Sequence, residues 1–134
     1  MLFHHVGVHV SDLEKSRPMY DAVFKVLGYE YFDVPDFVAA AWGTTDCSFR
    51  IVQPPLDKIS ASTSHVCFAA PSEKAVKQYY EVGQKFGGKG VAAPESYVEF
   101  GHRHLTAMLC DLDGNHVEAV YVDPTPIKQA GGDD

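Results

Sequence analysis

The sequence lacks the signatures of several large protein classes. It contains no Gly-x-x-x-x-Gly-Lys-Ser/Thr phosphate loop (Gly83 to Lys89 has the spacing, but Gly90 stands where the hydroxyl residue is needed), no dinucleotide-binding glycine pattern, no Gly-x-Ser-x-Gly nucleophile elbow and no His-Glu-x-x-His zinc helix. The chemistries those patterns serve therefore have no footing. Basic residues are few and scattered: 11 Lys and Arg stand against 18 Asp and Glu, for a net charge of -7. A nucleic-acid partner needs a clustered basic face, so none is expected. No apolar run approaches the ~20 residues of a membrane span, so no membrane partner is expected. The chain enters a strand-like stretch, Leu2 to Val10, with nothing resembling a signal peptide ahead of it. The three cysteines, Cys47, Cys67 and Cys110, form neither an even set nor a Cys-x-x-Cys pair. Each sits in an apolar strand-like segment, where a free thiol behaves as a small hydrophobe. A reducing compartment is expected, and the cytoplasm is the default reading.

What is present is a repeat. With 134 residues, 46% hydrophobic and 22% charged, the sequence reads as one globular domain over residues 1–134. Two β-rich segments, His5-Val6-Gly7-Val8-His9-Val10 and His65-Val66-Cys67-Phe68-Ala69-Ala70, each precede an amphipathic stretch that ends in glycine. His5 and His65, Tyr20 and Tyr80, and Gly28 and Gly88 are all sixty residues apart. A constant offset with matching context indicates a duplicated unit. One repeat runs over about 2–53 and the other over about 63–122, with a loose tail at 123–134.

The first helix is expected to open at Ser11-Asp12-Leu13-Glu14, a capping-box spacing, with an apolar face of Leu13, Tyr20, Phe24 and Leu27 and a stop at Gly28. Pro18 inside that stretch removes a backbone donor and predicts a kink or a tight first turn. The second helix opens at Ser72, carries Val76, Tyr79, Tyr80 and Phe86, and stops at Gly87-Gly88. Three strands are expected after each helix: Tyr29–Val34, Phe37–Trp42 and Cys47–Gln53, then Gly90–Ala92, His104–Asp111 and His116–Val122. Turns fall at Pro35-Asp36, Asp46 and Asp113-Gly114-Asn115. The segment from Ala92 to Gly101-His102-Arg103-His104 reads as a long loop of the kind that often serves as a lid. The fold class is thus α+β: two βαβββ repeats forming a cupped, mostly antiparallel mixed sheet, with one helix packed outside each half.

Alternation assigns faces. His5, Gly7 and His9 share one side of the first strand, and the valines 6, 8 and 10 share the side that floors the helix. By the same rule His65, Cys67 and Ala69 lie opposite Val66 and Phe68, and His116, Glu118 and Val120 lie opposite Val117 and Ala119. If both halves curl their open faces together, His5, His65 and Glu118 converge. Two imidazoles and a carboxylate form the facial-triad composition of non-haem Fe(II) sites, which also suits other divalent ions. His9 and His116, two residues from His5 and Glu118, are candidate general bases, since histidine titrates near neutral pH. Both also suit a plain water-facing rim. Trp42, Tyr97 and His104 are candidate substrate contacts, with core packing the alternative for Trp42.

The same residues carry a family resemblance. His5-Val6-Gly7-Val8-His9-Val10-Ser11-Asp12-Leu13-Glu14-Lys15-Ser16 resembles the opening strand and helix of the vicinal-oxygen-chelate superfamily, the glyoxalase/bleomycin-resistance/dioxygenase proteins. Asp111-Leu112-Asp113-Gly114-Asn115-His116-Val117-Glu118 resembles that superfamily's closing turn and last ligand strand. The resemblance spans roughly residues 2–122 and is greatest to its small glyoxalase-like members. It implies ligand positions at His5, Arg50, His65 and Glu118, a divalent metal (Fe, Zn, Mn or Ni), a small-molecule substrate and a homodimer. Arg50 departs from the pattern, because a guanidinium cannot ligate a cation. It could neutralise Glu118, its repeat counterpart, or bind a substrate carboxylate or phosphate bidentately. Two functions stay open: a metal-dependent lyase, isomerase or ring-cleaving oxygenase, and a metal-free binding or sequestration protein of the bleomycin-resistance type.

Overall fold

The computed structural model describes residues 3–34, 38–45, 47–55, 57 and 65–128. The turns expected at Pro35-Asp36 and Asp46, and the end of the tail, lie outside the described residues. Elements run in the order β1 (Val6–His9), α1 (Leu13–Leu27), β2 (Glu30–Phe32), β3 (Ala39–Gly43), β4 (Cys47–Val52), β5 (His65–Ala69), α2 (Glu73–Lys85), β6 (Lys89–Glu99), β7 (His102–Cys110) and β8 (His116–Val122).

Each half forms its own four-stranded mixed sheet. The strand orders are β1-β4-β3-β2 and β5-β8-β7-β6, which are the same topology twice. In each, the first strand pairs in parallel with the last, and the remaining pairs are antiparallel. Gly7 lies opposite Arg50 and Cys67 opposite Glu118, so Arg50 and Glu118 occupy equivalent positions of the two repeats.

Local signals explain most element ends. Ser72 caps α2, its hydroxyl accepting from the Ala75 amide at 3.1 Å. The cap of α1 is Asp12 rather than Ser11: its carboxylate accepts from Lys15 N at 3.1 Å. The Ser11 amide is engaged elsewhere, donating to Asp113 Oδ2 at 3.1 Å. Gly28 closes α1 at φ 84°, a left-handed cap that glycine adopts without steric cost. The sixty-residue offset fails at the other helix, where Phe86 is the cap and Gly87 takes the positive φ. Pro18 lies within α1, which continues to Leu27 as one element.

The largest departure from expectation lies between Ala92 and His104. This segment is the body of a long β6–β7 hairpin, bulged near Gly90–Glu95, and not a lid loop. Pro94 is tolerated because β6 is an edge strand, where one amide in two needs no partner. Phe86, expected on the packed face of α2, is 46% exposed.

The helices pack against each other and against the valine sides of the strands, making one core from both halves. Val8, Val10, Tyr20, Phe24 and Ile51 join Tyr79, Leu109, Val117 and Ala119 in it. Phe68 of β5 reaches across, its ring meeting Phe24 and Phe49 edge-on at 4.8 and 5.0 Å. Edge-to-face rings at this spacing add roughly 0.5–1.5 kcal/mol per pair beyond their buried area.

Candidate functional site

With the valines buried, the polar residues of the inner strands stand on the open side of each sheet. On the second half, His65 Nε2 lies 2.6 Å from Glu118 Oε1. The imidazole is half-exposed and the carboxylate side chain is 17% exposed. Cys67 lies between them in sequence register and contacts the same carboxylate. Desolvation first, then the Glu118 charge and hydrogen bond, push the Cys67 thiol up to about 12, so it is a protonated donor at neutral pH. His116 is exposed opposite His65. Further out, His104 stacks on Tyr97 across the β6–β7 pair, with ring centroids 5.1 Å apart, and its Nδ1 sits 3.0 Å from the His102 carbonyl. Tyr97 is raised by desolvation, then by Glu99, Glu118 and Cys67, which places its hydroxyl in the field of this same face.

The open side of the first half carries opposite charge. His5, Gly7, Val34, Ala39, Arg50 and Val52 line a cavity of about 210 Å³. His5 is lowered by desolvation, then by the Arg50 guanidinium and by His4, whose Nδ1 is 2.9 Å from its own. That shift favours the neutral imidazole. His9 lies at the far end of β1, and its carbonyl accepts from Asn115 Nδ2 at 2.9 Å. Trp42 belongs to the other side of the sheet. It is 2% exposed, stacked on Tyr20, tilted against Phe24 and edge-on to Tyr31, and its indole donates to Asp21 at 3.2 Å.

The candidate residues thus form two half-sites: His65, Glu118, Cys67 and His116 on one sheet, and His5 with Arg50 on the other. The Glu118 carboxylate is hydrogen-bonded to the His65 ring. Among the described residues, no three His, Cys, Asp or Glu side chains come together as a set able to hold a metal ion. β1 and β5 are edge strands of their sheets, β5 carrying His65 and Cys67 and β1 beginning directly after His5.

A buried polar network escaped the sequence reading. Tyr20 donates to Asp111 Oδ2 at 2.6 Å, and the Asp113 amide, the Asn115 amide and Asn115 Nδ2 each donate to Asp111 at 2.9 Å. Asp111 and Asn115 are 5% and 1% exposed. An aspartate and an asparagine at a turn advertise only the turn, and their tie to a tyrosine 91 positions away has no local signal.

No protein-family model matches the chain, and no curated protein matches it in sequence. Solved structures do. A glyoxalase/bleomycin resistance protein from Albidiferax ferrireducens T118 is 26% identical, with a TM-score of 0.80 over 90% of this chain and 99% of that one. A glyoxalase-related enzyme from Fulvimarina pelagi is 16% identical, with a TM-score of 0.67 over 98% and 96%. A glyoxalase/bleomycin resistance protein/dioxygenase family enzyme from Burkholderia phytofirmans PsJN is 18% identical, with a TM-score of 0.65 over 89% and 97%. The fold is that of the glyoxalase/bleomycin-resistance/dioxygenase proteins, in agreement with the resemblance to the vicinal-oxygen-chelate superfamily read from the sequence. Among the described residues, no helix is long and apolar enough to cross a membrane.

Proposed function

We propose that the chain is a metal-dependent small-molecule enzyme of the glyoxalase/dioxygenase type, acting as a homodimer in which the His5–Arg50 face of one copy closes on the His65–Glu118 face of another. The observation that carries this is the His65–Glu118 pair on the open face of the second half, matched by His5 beside Arg50 at the equivalent position of the other repeat. An imidazole and a carboxylate 2.6 Å apart share a proton that a divalent cation can replace, and two histidines with a glutamate suit Fe, Zn, Mn or Ni. His65 and Glu118 would hold the ion from one copy and His5 from the other, with β1 and β5, the edge strands of their sheets, facing one another. When bound, the ion would act as a Lewis acid toward neighbouring substrate oxygens. Arg50 cannot ligate and would instead grip an anionic substrate group through its guanidinium fork. His116, exposed beside His65, would exchange a proton with the substrate through a ring nitrogen.

The test is metal analysis of protein purified without chelator, followed by mixing of variants. His5→Ala and Glu118→Ala homodimers should each lack metal. An exchanged one-to-one mixture should regain about a quarter of the wild-type content, because half the dimers would be mixed and each would hold one intact site of two. No recovery on mixing would overturn the shared site. The charged cavity around Arg50 and His5 favours a second reading, a metal-free protein that binds an anionic small molecule. Metal content below about a tenth of an equivalent, with no uptake on titration, would select it.

A further inference from the structure

The register of the first sheet builds the cavity around Arg50. Gly7 of β1 lies opposite Arg50 of β4, and Ala39 of β3 lies opposite Val52. Alternation keeps Arg50 and Val52 on one face, and with His5 and Val34 these residues line about 210 Å³. At ~30 Å³ apiece that is room for about seven waters, below the ~300 Å³ where pockets for drug-sized ligands begin. The lining divides by chemistry. Arg50 brings a guanidinium and His5 an imidazole, while Val34, Ala39 and Val52 present hydrocarbon side chains. Among the described residues, no second Lys or Arg and no carboxylate lines it.

Gly7 leaves the space beside Arg50. Its backbone is ordinary strand without a positive φ, so the chain's path does not require glycine there. A Cβ added to it would meet nothing closer than the Arg50 carbonyl oxygen and Val52 Cγ2, both at 3.9 Å. The equivalent position of the other repeat carries a side chain, that of Cys67 opposite Glu118.

Resting on the reading that Arg50 grips an anionic substrate group, we propose that this group is the carboxylate of a short aliphatic acid, whose chain lies against Val34, Ala39 and Val52 in the space left by Gly7. A guanidinium fork pairs both oxygens of a carboxylate and leaves only carbon to face the hydrocarbon wall. A phosphate carries further oxygens, and setting them against valine forfeits their hydrogen bonds to water. The probes for the full-length protein are isovalerate, acetate, isovaleramide and inorganic phosphate, followed through the NMR shifts of the β1 amides. Isovalerate should bind saturably. It should bind at least about tenfold more tightly than acetate, which lacks the chain, than the uncharged amide, and than phosphate. Gly7→Val fills the space with a residue that suits a strand, and should weaken isovalerate binding at least about tenfold. Arg50→Gln should weaken it by at least as much, and Arg50→Lys, which keeps the charge without the fork, by less. The proposal is overturned if acetate or isovaleramide binds as tightly as isovalerate, or if Gly7→Val binds it as wild type does. Isovalerate binding that survives Arg50→Gln would overturn it too, placing the carboxylate on another group. Phosphate binding as tightly as isovalerate, with both lost in Arg50→Gln, would overturn the carboxylate assignment while leaving Arg50 as an anion grip. No saturable shift with any anion would remove that grip as well.

Discussion

Removing one oxygen atom from the core, by Tyr20→Phe, tests the buried network that joins the halves. The hydroxyl donates to Asp111 at 2.6 Å, and both residues are buried. A hydrogen bond to a charged group contributes about 1.5–3 kcal/mol, and an acceptor left stranded would add its own desolvation cost. Asp111 is not stranded, since three nitrogen donors at 2.9 Å remain. The expected loss is therefore near the middle of that range, ~2 kcal/mol. For a chain of this length, the entropy of unfolding turns that into a fall in Tm of roughly 7 °C. Alkaline pH supplies an independent check. The Tyr20 and Tyr79 phenols are both raised well above their ordinary value, by desolvation first and then, for Tyr20, by Asp111. A raised folded-state value means stability is fully present below the unfolded value of about 10 and is lost as pH rises above it, where only the unfolded chain ionises. The variant should lose stability less steeply above that pH, with Tyr79 and the other raised phenols and thiols still contributing. Urea unfolding at pH 7 and across pH 9–11 measures both quantities. A cost below about 0.5 kcal/mol, or an unchanged alkaline slope, would show that the hydroxyl does not hold the halves as described.

Three further outcomes follow from single positions. Gly83→Ala in α2 should destabilise by about 1–2 kcal/mol despite alanine's better helix propensity, because the new methyl would meet buried Leu109 Cδ1 at 2.1 Å and Val23 Cγ1 at 3.2 Å; a gain in thermal unfolding would refute the packing argument. Phe100→Gly should stabilise by about 0.5–1 kcal/mol in chemical unfolding, since Phe100 sits at φ 53° with its side chain 90% exposed, and a loss would mean the turn is not strained. Glu118→Gln should reduce divalent-metal retention at least about tenfold, whereas His104→Ala, out on the β6–β7 hairpin, should not; equal retention by both would remove Glu118 from the proposed ligand set.

Readability from sequence followed how local the determinant was. The valines 6, 8 and 10 and the pair Val117 and Ala119 announced the faces of β1 and β8, because a half-buried strand must alternate. Ser72 and Gly28 announced helix ends through backbone needs that only a few residue types meet. Only Gly90–Ala92 of β6 was read as strand, and the rest was missed for the complementary reason. Residues 92–99 are exposed on nearly every side, so neither face carries an apolar set, and Pro94 with two glutamates reads as loop. Ser11 and Asp12 compete for one cap, and the contest was decided by Asp113, 102 positions away from the Ser11 amide it binds. At the site, the face of each polar residue could be inferred from its neighbours. The distance between faces could not, because it depends on how two complete βαβββ units pack.

That packing also explains why the closing turn matters to the site. The turn before β8 is fastened to the first half at three points: Tyr20 on Asp111, Ser11 on Asp113, and the His9 carbonyl on Asn115. β8 begins directly after Asn115, so the register of His116 and Glu118 against β5 starts from a residue held by β1. The Asp-Gly-Asn turn therefore does more than reverse the chain. Gly114 adopts φ 88°, which lets Asp111 collect the amides of residues 113 and 115 while Asn115 turns its side-chain amide to the β1 edge. A carboxylate bonded this way resists displacement more than a surface ion pair would, because two of its four donors are backbone amides and the other two, from Tyr20 and Asn115, are buried side chains. His65 is half-exposed, but the strand that carries its partner Glu118 is anchored in the core of the opposite repeat.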